Sequence, residues 1–172
     1  MSPTYRGYVE KAINLHEGER TKAQCRPLKL QGVTLVEVLS PPKYKMLRNR
    51  ATIVAGAWVV RAAMDQCGRT VTRRLLIQTA EPGNLRQIAL LPGAFAGNFQ
   101  LELDAMRIVR PALMLKAHCK IPKKLVFMDV KSLTPAGPKG WTETWTARAC
   151  GKPVKVTVTY TADATGMQIT AK

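Results

Sequence analysis

The sequence predicts an α+β fold built twice: a helix followed by three or four antiparallel strands, repeated once in tandem and stapled by disulfides. Three observations carry this. Trp58 and Trp141 each stand nine residues before a Cys-Gly pair, Cys67-Gly68 and Cys150-Gly151, and each pair is followed by Val at Cys+4 and Gly at Cys+16. The other two cysteines, in Lys22-Ala23-Gln24-Cys25 and Lys116-Ala117-His118-Cys119, start a second matched run. It places Val36 and Val130 at Cys+11, Leu39 and Leu133 at Cys+14, and Pro41 and Pro135 at Cys+16 without a gap. Lastly, a helical apolar period precedes the first Cys of each copy, and strand-like segments follow it. The period far exceeds the roughly 20–50 residues of solenoid repeats, so the pattern reads as duplication of a domain. The expected units are residues 5–93 and 94–172, sharing one compact pseudo-symmetric body.

Within the first unit, Tyr5, Val9, Ala12, Ile13 and His16 recur at helical spacing over residues 4–23, with Gly18 weakening the end. The second opens with a helix carrying Leu103, Met106, Val109 or Arg110, and Leu113, in which Pro111 predicts a kink or a break. Strands follow at VTLVEVLS and KLVFMDVKSL, each stopping at a proline, Pro41 or Pro135. Next come ATIVAGAWVVRAAMDQC and WTETWTARAC, in which Trp141 and Trp145 share a face but Glu143 spoils a clean apolar side. Val154, Val156, Val158 and Tyr160 then alternate with Lys155, Thr157 and Thr159, and short last strands close each unit.

Composition places the 172-residue chain among globular proteins, with 46% hydrophobic and 22% charged residues. No run of 18 apolar residues exists, which predicts no membrane-spanning helix. The start, MSPTYRGYVEKA, lacks an apolar signal-peptide core, as a mature form with an added Met would. A net charge of +16, from 27 Lys and Arg against 11 Asp and Glu, predicts an anionic partner.

None of the four cysteines has Cys-x-x-Cys spacing and only two histidines exist, so neither a zinc site nor any other metal or cofactor is expected. If each unit repeats one disulfide, the pairs are Cys25–Cys67 and Cys119–Cys150; crossed pairing between units respects the duplication equally well. In the chain-entropy account each such bond stabilises by up to roughly 3.5–4 kcal/mol. Disulfides predict an oxidising compartment, the periplasm or the exterior.

No catalytic constellation emerges. Disulfide pairing would remove the thiol that a Cys–His nucleophile needs, and Pro92-Gly93-Ala94-Phe95-Ala96-Gly97 lacks the Gly-Lys-Ser/Thr of a phosphate loop. Glu102 and Asp104 read as helix-start acids. The largest difference between the copies is eleven extra residues in the first, a loop insertion over residues 42–52. It brings Lys43, Lys45, Arg48 and Arg50 around Tyr44, and basic residues on a loop carried by a rigid scaffold predict partner binding. Lys116, Lys120, Lys123 and Lys124 form a second basic cluster that brackets Cys119, and Arg69, Arg73 and Arg74 a third.

Residues from about Leu91 to Gly166 resemble a small exported domain of proteobacterial proteins. The likeness rests on Leu91-Pro92-Gly93, Asp104-Ala105 with Arg107, Trp141-x-Glu143-x-Trp145, Cys150-Gly151 and Tyr160-Thr161-x-Asp163. The resemblance implies a periplasmic address and a Cys119–Cys150 bond, and it implies no activity. The expectation is therefore a periplasmic or secreted, non-enzymatic binding or accessory protein whose partner is an acidic protein or an anionic envelope polymer. A nucleic-acid-binding protein is the alternative, favoured by charge and disfavoured by disulfides. A hydrolase using Asp104, Glu143 and Asp163 is the third reading.

Overall fold

The structure is a computed structural model, and it describes residues 3–17, 25–164 and 166–172. Two compact units divide the chain, Met1–Leu90 and Leu91–Lys172. The first consists of α1 (Pro3–Glu17) and a sheet in the order β1 (Lys29–Leu47), β2 (Arg50–Gln66), β3 (Arg69–Glu81) and β4 (Asn84–Ala89), with neighbouring strands antiparallel. The second consists of α2 (Phe99–Lys116), a 3₁₀ turn at Pro122–Lys124, and a sheet of β5 (Leu125–Ser132), β6 (Gly140–Ala149), β7 (Lys152–Asp163) and β8 (Gly166–Ala171), also antiparallel.

The α+β class predicted from sequence is overturned. Strand accounts for 57% and helix for 22%, so the protein is mostly β, two four-stranded antiparallel sheets with two helices. The physical reason lies in β1 and β2, 19 and 17 residues long. Pro41 was expected to end the first strand, but bulges between Val38 and Tyr44 absorb Pro41 and Pro42, and pairing resumes at Lys43↔Ala55 and runs without further shifts from Tyr44↔Ile53. The expected insertion loop is thus strand up to Leu47, and only Arg48-Asn49 turn, both at positive φ as a two-residue type I′ hairpin requires. The helix expected over residues 4–23 is described only to Glu17; the rest of that expectation lies outside the described residues. Around Pro111, α2 continues without a break, because the proline is on the exposed face, where the Arg107 carbonyl it leaves unpaired can meet water.

Two disulfides close the units, Cys25–Cys67 and Cys119–Cys150, with Cα–Cα distances of 5.3 and 5.6 Å. Each Cys-Gly pair is itself a two-residue turn, between β2 and β3 or between β6 and β7, with both residues at positive φ. The two similar sheets suggest an internal repeat, and pairing refines its register. A bulge follows Leu30 in β1 and Phe127 in β5, after which Val33 lies opposite Ala62 and Val130 opposite Trp145. Val33, not Val36, is therefore the counterpart of Val130. The three-residue offset from the ungapped sequence match equals the length of the 3₁₀ turn Pro122–Lys124.

In the first unit, Val9, Ala12 and Ile13 of α1 share a core with Trp58, Val60 and Ile77. Charge is buried there too: Arg73 reaches Glu17 with two hydrogen bonds, Nε–Oε1 2.6 Å and Nη2–Oε2 3.0 Å. In the second, Ala105, Val109 and Leu113 of α2 share a core with Trp145, Val156 and Val158.

Candidate interaction surface

The hairpin arm is the most exposed regular element. Pairing of β3 with β2 begins at Ala57, so residues 50–56 of β2 form a ladder with β1 alone, apart from the Gly83 N–H that donates to Ile53 O at 2.8 Å. Cross-strand partners share a face, so Tyr44, opposite Ile53, and Met46, opposite Ala51, lie on the side on which Ile53 joins the core. Lys45, opposite Thr52, takes the other side. Gly56, at φ +145°, permits this shape: a Cβ there would stand 2.9 Å from Pro42 Cα. Gly56→Ala is accordingly expected to loosen the arm. Amide exchange should speed up by at least about tenfold across residues 43–53, since strain of roughly 1–3 kcal/mol falls on a peripheral ribbon, while exchange in β7 stays unchanged.

All five arm residues expected to bind a partner, Lys43, Tyr44, Lys45, Arg48 and Arg50, are exposed, Tyr44 by 64%. Lys120, Lys123 and Lys124 are exposed as well, and belong to the other unit, around its 3₁₀ turn. Of the third basic cluster only Arg69 is exposed: Arg73 is engaged with Glu17, and Arg74 is 1% exposed.

Apolar exposure along β1 was missed from sequence. Of the twelve exposed large hydrophobic residues among those described, seven lie on β1 between Leu35 and Leu47. Leu35 faces Val60 and Val38 faces Trp58 across the ladder, both partners being core residues, yet Leu35 is 55% and Val38 47% exposed. The available signal was the apolar weight of VTLVEVLS, whose Leu35-Val36 and Val38-Leu39 pairs put apolar residues on both faces and break the alternation of a half-buried strand.

The carboxylates of the hydrolase reading do not gather at an accessible site. Asp104, on α2, lies 3.3 Å from Arg107, and Asp163 is exposed near the end of β7. Glu143 is fully buried: Oε1 accepts from the Trp141 indole at 3.0 Å and from the Ala96 amide at 3.1 Å, and Oε2 from the Trp145 indole at 2.8 Å. Glu102, read from sequence as a helix-start acid, does lie in the first turn of α2, where it is buried and accepts from the Leu91 amide at 2.6 Å, while Asn98 caps the helix. Tyr160 lies within the same core, and burial, then the charge of Glu143, raises its pKa above the ordinary phenol value. The Trp-x-Glu-x-Trp signature is thus a clasp that fixes the segment before α2. No cluster of three or more His, Cys, Asp or Glu suited to a metal ion occurs among the described residues.

No family model, curated protein or solved structure matches the chain. The disulfides are compatible with an extracellular or periplasmic protein. Among the described residues no helix is long and apolar enough to cross a membrane.

Proposed function

We propose that the protein is a non-enzymatic binding protein of the periplasm or cell exterior that engages an acidic protein through the β1–β2 hairpin. The observation that carries this reading is the coincidence of cationic and apolar exposure along one hairpin: Lys43, Lys45, Arg48, Arg50 and Met46 toward its tip, and Leu35 and Val38 further back on β1. A polyanion such as nucleic acid or an envelope polymer needs only the charge. An exposed apolar strip, in contrast, gains when water is excluded by a protein surface. The net charge of +16 speeds encounter with such a partner.

Replacing Lys43, Lys45, Arg48 and Arg50 by Gln tests it. Folding should be unchanged, because all four side chains are exposed. Capture of a discrete protein from nuclease-treated envelope extract should persist at high salt with the wild type and fall at least about tenfold with the variant. Recovery only of polyanions released as salt rises would remove the protein-partner reading, and equal capture by the variant would remove the hairpin.

A further inference from the structure

In the second unit, the chain itself shows how the edge of such a sheet is covered. The segment Leu91–Ala96 runs beside β5, the edge strand. Ala94 N–H donates to Val130 O at 2.8 Å, and a Cβ on Gly93 would collide with the Val130 backbone and the Asp129 carboxylate. Phe95 then turns inward to meet Trp145 and Tyr160 edge-on, with ring centroids 6.0 and 6.2 Å apart. Glu102 and Glu143 pin the two ends of the segment by accepting from the Leu91 and Ala96 amides. Beneath it Val130 is 1% exposed.

β1 is the edge strand of the first sheet, and Val33 holds the position that Val130 holds in β5. Among the described residues no such segment runs along it. α1 serves only its start, where Asn14 accepts from the Leu28 amide, Glu10 accepts from the Leu30 amide, and Arg6 donates to the Gln31 carbonyl. Beyond that point Leu35 and Val38 remain uncovered on the core side of the sheet.

Building on the binding role proposed above, we propose that the outer edge of β1 from Val33 to Leu39 receives an extended, acidic segment of the partner as a short added strand, its apolar residues covering Leu35 and Val38. Charge selects this occupant: the edge leads into Lys43, Lys45, Arg48 and Arg50, and Glu37 is the one acidic residue in β1. A second copy would set these cations against their own kind. The bulges between Leu35 and Glu37 and between Val38 and Ser40, followed by Pro41-Pro42, keep the added ladder short.

A labelled octapeptide alternating glutamate with valine, leucine or phenylalanine is the probe, read by fluorescence anisotropy against the oxidised full chain. The wild type is expected to bind it. Affinity should fall at least about tenfold with the pair Leu35→Thr and Val38→Thr, which keeps strand propensity at exposed positions, and by a similar factor when alternate peptide amides are N-methylated. Undiminished binding of the methylated peptide, or loss with the Lys/Arg→Gln variant but not with Leu35→Thr and Val38→Thr, would overturn strand addition and leave the acidic-partner reading standing. No effect of either variant would remove both. Self-association in sedimentation that disappears with Leu35→Thr and Val38→Thr would assign the edge to a second copy instead, and absence of binding at millimolar peptide would overturn it too.

Discussion

Replacing Glu143 by Leu is expected to destabilise the second unit by about 3–6 kcal/mol, because two buried indole donors lose their acceptor at roughly 1–3 kcal/mol each and a partly buried amide loses its own. The indoles of Trp141 and Trp145 and the Ala96 amide all end on this carboxylate, and Glu143 is 0% exposed. Glu143→Gln separates charge from geometry. The amide oxygen can keep the two donors now shared by Oε1, but its NH₂ group then confronts the Trp145 N–H. A loss of about 2–3 kcal/mol is expected from that one clash. Urea titration followed by tryptophan fluorescence and by far-UV circular dichroism measures both variants. Glu143→Leu within about 1 kcal/mol of wild type would mean that the clasp contributes little to stability.

The second large effect concerns the Glu17–Arg73 pair. Its side chains are 1% and 8% exposed, so removing the carboxylate strands a guanidinium in the core of the first unit. Glu17→Ala should cost about 3–5 kcal/mol, whereas Glu17→Leu combined with Arg73→Met should cost clearly less than Glu17→Ala alone, because no buried charge is left over. A thermodynamic cycle over the single and double variants checks this. A double variant as unstable as the sum of its singles would show that the two residues act independently. The pair also explains why a cluster of arginines in the sequence does not become a binding patch. The same alternation that separates Arg73 from Arg74 directs Arg73 to the core face with Leu75 and Ile77.

Parts of this structure were legible in the sequence for physical reasons. Two cysteines placed twice in the same way allow one disulfide per unit, the pairing the structure has in place of the crossed alternative, and Cys-Gly suits a turn whose two residues both need positive φ. The period-two pattern from Val154 to Tyr160 marks a one-sided strand, and those residues do face inward. Other features are decided by pairing across the chain. Pro41-Pro42 reads locally as a strand end, and only Gly56, fourteen residues on and opposite Pro42, reveals that the ribbon continues. Glu143 reads as a polar residue out of place between two tryptophans until their indole N–H groups are seen to need an acceptor. In the first unit Val60 occupies the equivalent place, and Trp58 donates instead to the Tyr5 hydroxyl at 2.9 Å. The repeated sheet thus serves two designs. One closes its own edge with Leu91–Ala96, and the other extends its edge into a cationic, apolar arm.

The most direct test of the binding account is amide hydrogen exchange on the oxidised protein, alone and saturated with the protein it captures. The account predicts slowed exchange across residues 33–53 of β1 and β2, with residues 120–124 unaffected. Protection confined to the second unit, or absent from the hairpin, would contradict it.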